Sequence, residues 1–127
     1  MKFGYTIIYV ENVEATLEFY QQAFGFARKM LYETGGYGEL ETGNTTLAFA
    51  SFSTLEEMGM LPKVMDANAP SFEVAFTTNN VTKAAESAVA AGAALVSAPQ
   101  DMPWGQTVAY VSDITGGLVE LCTPIAP

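Results

Sequence analysis

Apolar and polar positions along this chain switch between two periods, and the switches mark its elements. Tyr5 to Val10 (YTIIYV) is apolar and β-branched enough to read as a strand. Asn12 then offers an N-cap, and Val13, Leu17, Tyr20 and Phe24 recur at helical spacing up to Gly25. Arg28 to Tyr32 returns to a strand pattern. Gly35-Gly36-Tyr37-Gly38 is a turn and not a phosphate loop, because no helical pattern follows it. Gly38 to Thr42 and Thr45 to Ala50 read as two further strands on either side of Gly43-Asn44.

The second half repeats that order. Phe72 to Thr77 is a strand, Asn80 an N-cap, and Val81 to Ala91 an alanine-rich helix closed by Gly92. Strands at Leu95 to Ser97, Thr107 to Val111 and Leu118 to Cys122 follow. Laid together, Asn12-Val13 matches Asn80-Val81, Gly25 matches Gly92, and Leu47-Ala48-Phe49 lies where Val119-Glu120-Leu121 lies. Two βαβββ modules in one chain amount to an internal duplication. Module one runs over about residues 1–52 and module two over 71–127, joined by a linker over about 53–70. In the linker, Thr54 to Met60 reads as a helical turn, and Met58, Met60 and Met65 cluster. It is either a plain connection or a mobile, methionine-lined lid.

The last two strands form a hairpin around Asp113-Ile-Thr-Gly-Gly117. Glu120 sits between Val119 and Leu121, and neighbouring side chains in a strand point to opposite faces. If its neighbours enter the core, Glu120 points either to water or into a concave polar site.

A chain of 127 residues, half of them hydrophobic, is long enough for a real core and is the size of one domain. No apolar run is long enough to cross a bilayer, and the N-terminal stretch does not read as a secretory signal, so a cytoplasmic protein without membrane contact is expected. Cys122 is the sole cysteine, so no internal disulfide forms. Near a strand end and lacking a base, it reads as a buried hydrophobe and not as a nucleophile. The net charge of −9, with five Lys and Arg in all, argues against nucleic acid as a partner. That charge suits a cationic ligand as well as it suits plain solubility. The absence of histidine removes Ser-His-Asp and Cys-His catalysis and every His-based metal site.

The βαβββ–βαβββ order resembles the vicinal oxygen chelate superfamily, which includes glyoxalase I, bleomycin-resistance proteins, extradiol dioxygenases and fosfomycin-resistance enzymes. So do Tyr5-Thr-Ile-Ile-Tyr-Val10, Asn12-Val-Glu-Ala15, Phe19-Tyr20 with Phe24-Gly25, and the closing PWG and SDITGGLVEL. The resemblance covers nearly the whole chain. It implies an α+β fold in which the two modules curl into a mixed-sheet cup, and commonly a homodimer. The family's four metal-ligand positions fall on Tyr5, Ala48, Glu73 and Glu120. Only Glu73 and Glu120 are strong ligands, an incomplete set for Zn²⁺ or Fe²⁺ and a weak one for Mg²⁺ or Mn²⁺. No cofactor is therefore expected, with a divalent metal on Glu73 and Glu120 as the alternative.

The family's strand phase places Tyr5, Ile7 and Tyr9 in the cup, with Thr6, Ile8 and Val10 against the helices. Ala48, Glu73, Ala75 and Glu120 share the lining. Trp104 stands at its rim, at a dimer contact, or tucked into a turn. Glu73 reads as a cup residue or as a strand-end residue in solvent. If Glu73 and Glu120 approach each other, their repulsion raises one of the two pKa values. Aromatic walls with two acids suit an aromatic or cationic small molecule. The expectation is a metal-free, bleomycin-resistance-like binder that sequesters such a molecule. The alternatives are a metal-dependent lyase, isomerase or dioxygenase, and a module with a degenerate cup kept for protein contacts.

Overall fold

The computed structural model describes residues 1–125; the expected end of the second module, at residue 127, lies outside them. In chain order the elements are β1 (Tyr5–Val10), α1 (Val13–Phe24), β2 (Arg28–Leu31), β3 (Tyr37–Leu40), β4 (Thr46–Ser51) and α2 (Phe52–Glu57). Then come β5 (Val74–Thr77), α3 (Val81–Ala91), β6 (Ala94–Asp101), β7 (Thr107–Ser112) and β8 (Leu118–Cys122). The fold is α+β, with the βαβββ order repeated. The chain divides into two compact units, the first ending at Val64 and the second beginning at Met65.

In the first unit four strands form a mixed sheet in the order β1-β4-β3-β2. β1 runs parallel to β4 in a register that sets Ile7 against Ala48 and Ile8 against Phe49. β3 returns antiparallel, placing Glu39 beside Ala48 and Gly38 beside Phe49. One face of this sheet, with Ile8, Val10, Leu47, Phe49 and Leu40, is buried. Helix α1 covers it because Val13, Leu17 and Tyr20 recur on one side of the helix, and all three are buried. Asn12 starts the helix by accepting from the Ala15 N–H at 2.9 Å, and Gly25 ends it in the left-handed region. Tyr20 packs on Phe49 with ring centroids 5.0 Å apart, and Phe19 and Phe24 extend the cluster. Gly38 lets the helix come this close: a β-carbon there would lie 2.6 Å from Leu17 Cδ1 and 3.1 Å from Val13 Cγ1.

The second unit repeats the plan, with sheet order β5-β8-β7-β6. β5 runs parallel to β8, with Ala75 opposite Glu120, and β7 pairs antiparallel, with Tyr110 opposite Glu120. Helix α3 is capped by Asn80, which accepts from the Lys83 N–H at 3.1 Å, and it buries Val81, Ala85 and Ala88. The β7–β8 hairpin closes through Asp113, whose Oδ1 accepts from the Thr115 and Gly117 N–H groups.

Several boundaries differ from the sequence reading. β3 begins at Tyr37, inside the stretch read as a turn. β5 starts only at Val74. β6 extends through Pro99 to Asp101, as a strand at the end of its sheet can, and it is irregular on either side of Ser97. The linker is split in structure. Its first part is α2, a short helix that opens with the Ser51 side chain accepting from Thr54 N–H and that packs on β4 and β1. Its end belongs to the second unit, where Met65 packs against Gly116 and Gly117. Met58 and Met60 are exposed.

Candidate functional site

On the sheet faces turned away from α1 and α3, strand alternation brings the polar residues together. In the second unit, Glu120 is half-buried between the fully buried Val119 and the buried Leu121. Tyr110, its cross-strand neighbour, donates its hydroxyl to Glu120 Oε1 at 2.8 Å. Glu73, just ahead of β5, is exposed, yet its carboxyl reaches the side chains of both Tyr110 and Glu120. Burial of the carboxyl, followed by the negative charge of Glu120, pushes the Glu73 pKa above the usual carboxylate range. Tyr110 is pushed up as well, first by its hydrogen bond to Glu120, then by burial and by the charges of both glutamates. Together Glu73, Tyr110 and Glu120 form a compact acid–tyrosine cluster.

The cluster continues toward the β6–β7 turn. Cys122, two residues along β8 from Glu120, is buried, and burial raises its thiol pKa, followed by the effect of Glu120. That leaves a protonated, unreactive sulfur at neutral pH. Gln106 reaches Cys122 as well and donates its amide to the Thr123 carbonyl at 2.7 Å. The Gln106 carbonyl oxygen accepts from the Trp104 indole N–H at 2.8 Å. Trp104 is therefore fixed by its polar edge while 63 % of the residue stays exposed. Ala75, opposite Glu120, is exposed and adds little bulk beside it.

In the first unit the same face carries Tyr5, Ile7 and Tyr9, which are 59 %, 42 % and 38 % exposed. Ala48 is fully buried in the middle strand. Where the second unit has Glu120 on its middle strand, the first has Ala48, and its carboxylate stands one strand over as Glu39. Tyr37 donates its hydroxyl to Glu39 Oε2 at 2.7 Å. Burial raises the Tyr37 pKa, and Glu39 raises it further through that hydrogen bond and its charge, with a smaller effect from Tyr5. Sequence reasoning missed this second acid–tyrosine pair. The signal was the alternation Tyr37-Gly38-Glu39-Leu40, which puts Tyr37 and Glu39 on one face once the strand is recognised.

A model of the glyoxalase/bleomycin resistance protein/dioxygenase superfamily matches residues 2–121. The chain belongs to that superfamily. Solved structures agree with the assignment. A glyoxalase-related enzyme from Fulvimarina pelagi superposes with a TM-score of 0.84 at 22% identity, over 98% of this chain and 88% of that one. A glyoxalase/bleomycin resistance protein/dioxygenase family enzyme from Burkholderia phytofirmans PsJN gives 0.82 at 23% identity, over 99% and 100% of the two chains. A glyoxalase/bleomycin resistance protein/dioxygenase from Nocardioides gives 0.72 at 21% identity, over 97% and 83%. At these identities the likeness is one of fold. Among proteins with curated descriptions, none matches the chain.

The donor set of this superfamily member does not fit a resident metal ion. Tyr5 and Ala48 bring no carboxylate or imidazole to the first sheet, and Glu120 already accepts a hydrogen bond from the Tyr110 hydroxyl. Among the described residues no three His, Cys, Asp or Glu side chains gather closely enough to hold an ion. No helix among them is long and apolar enough to cross a membrane. A cavity of about 390 Å³ in the second unit lies between Met65–Asn68 and Ala94–Val96, and none of the predicted site residues lines it.

Proposed function

We propose that the protein is a small-molecule binder of the bleomycin-resistance type, holding a partly planar, cationic ligand without a metal and withdrawing it from solution. One observation carries the reading. Glu120, Glu73 and Tyr110 share one sheet face, and among the described residues neither glutamate has a basic side chain as its partner. Carboxylates held close together and partly desolvated repel each other, and a cation between them relieves that cost. Trp104, anchored by Gln106, offers a ring for the planar part of the ligand, and Ala75 leaves room beside Glu120. On the first sheet, Tyr5, Ile7 and Tyr9 stand exposed around Ala48 and offer an aromatic and aliphatic surface of their own. The net charge of −9 raises the local concentration of such ligands at low salt. Antibiotic sequestration in a cytoplasmic homodimer is the biological form of this proposal. Leu95 and Val96, exposed on β6 at the end of its sheet, support association with a second copy. A metal-dependent lyase, isomerase or dioxygenase would have only the Glu73–Glu120 pair in its favour.

Calorimetry of the whole chain against a panel of planar organic cations tests the reading. Binding is expected at neutral pH, to be unaffected by chelator, and to weaken roughly tenfold or more in Glu120→Gln. No heat with any member of the panel would remove the proposal.

A further inference from the structure

Glu39 is a carboxylate on the exposed face of the first sheet that the sequence did not single out, and its surroundings are unlike those of an ordinary surface acid. It is half-buried, it accepts from the Tyr37 hydroxyl, and among the described residues no basic side chain forms an ion pair with it. One hydrogen bond leaves most of the acceptor capacity of a carboxylate unused, including the whole of Oε1. The register explains what stands around it. Reading across the sheet, Ile7, Ala48 and Glu39 form one row, and Tyr9, Ala50 and Tyr37 form the next. The middle strand carries only small side chains on this face: Thr46, Ala48 and Ala50. Aromatic and aliphatic residues thus stand on one flank and an acid–tyrosine pair on the other, with roughly 9–10 Å between the flanking backbones. Ala48 is itself fully covered, so a ligand would rest between the exposed rims of these side chains and not on the strand. Tyr5 lies near enough to Tyr37 to add to the upward push on its pKa, after burial and Glu39.

We infer that this face is an organic-ammonium site in its own right, with Glu39 as the anion and the tyrosine rings as its walls. A carboxylate fixes the charge, and tyrosine faces attract a cation through their quadrupole without needing a hydrogen bond from it. That combination favours an alkylated ammonium head over a metal ion, which would require several oxygen ligands that this face lacks. The inference extends the proposed function, since it reads these sheet faces as ligand-binding surfaces, but it assigns the first sheet a cation anchor separate from Glu120.

The test is a titration of the whole chain with benzyltrimethylammonium, following tyrosine ring signals by NMR and assigning them with single Tyr→Phe variants. Saturable shifts are expected at Tyr5 and Tyr37. In Glu39→Gln, which keeps an oxygen to accept the Tyr37 hydroxyl, the affinity read at those rings should fall roughly tenfold or more, while the response at Tyr110 is unchanged. If Tyr110 responds and Tyr5 and Tyr37 do not, the inference is wrong and the proposed function survives. If Tyr5 and Tyr37 respond and Tyr110 does not, the anchor at Glu120 fails while this site stands. Silence at all three rings, or a Glu39→Gln variant that binds unchanged at Tyr5, overturns the inference.

Discussion

Helices α1 and α3 begin and end alike but cover their sheets with different material. Both start on an asparagine that accepts a backbone N–H three residues on, and both stop at a glycine with positive φ. Beneath α1 the contact is aromatic: Tyr20 meets Phe49, Phe19 packs edge-on against Tyr20, and Phe24 lies tilted against it. Beneath α3 the buried helical residues are Val81, Ala85 and Ala88. The acid on the opposite face differs too. It stands on the middle strand in the second module and on the neighbouring strand in the first, each time hydrogen-bonded to a tyrosine. The lesson is that the duplicated plan resides in caps and strand register. Side chains on either face can be exchanged as long as volume and hydrogen bonding stay balanced.

The largest expected effect breaks the comparison at the cores. Phe49→Ala removes the ring under α1 and should cost about 3–5 kcal/mol, whereas Ala88→Gly in α3 should cost only about 1 kcal/mol. Urea unfolding of both variants measures the gap, and equal losses would mean that the aromatic cluster is not what holds the first module. The caps sharpen the comparison from the other side. Asn12→Ala and Asn80→Ala should each cost about 1 kcal/mol, and the two values should agree closely, since the two caps make the same bond at 2.9 and 3.1 Å.

The smallest effect is electrostatic and sits in the second module. The Glu73 pKa is raised in the folded chain, so the native state holds a proton that the unfolded state has lost just above the ordinary carboxylate range. Its contribution is therefore complete below that range and disappears as pH rises through the shifted value. Glu120→Gln removes the neighbouring charge, so the stability profile of the variant should be flatter across that interval. Because Glu73 is exposed, solvent screening keeps the difference small. Tyrosine absorbance gives a second readout: ionisation of Tyr110 should move down toward the ordinary range in the same variant, while that of Tyr37 stays where burial and Glu39 hold it. An unchanged Tyr110 titration would break the assignment.

Much of this organisation was legible in the chain. Asn12 and Asn80 ahead of apolar helical repeats, Gly25 and Gly92 behind them, and the alternation in YTIIYV and LVELC identify elements through local rules, because caps and strand periods depend on a few adjacent residues. Tyr5, Ile7 and Tyr9 are exposed and Ile8 and Val10 buried, in the phase the alternation allows. Tyr37 was hidden by its neighbours: among Gly35, Gly36 and Gly38 it reads as part of a turn, although Gly38 is there to admit α1 against the sheet. β6 ran past its expected end because Pro99 is a poor strand residue by composition and is tolerated at a sheet end.

By itself, then, the sequence determined the repeated order of elements, the lack of any imidazole, and which residues of each strand share a face. Those follow from composition and from the fixed twofold period of an extended backbone. Only the tertiary structure decided which faces meet which side chains across strands. Register is set by pairing between segments distant in the chain, so Glu39 beside Ala48, and Glu73 within reach of Tyr110 and Glu120, exist only once the strands are laid together.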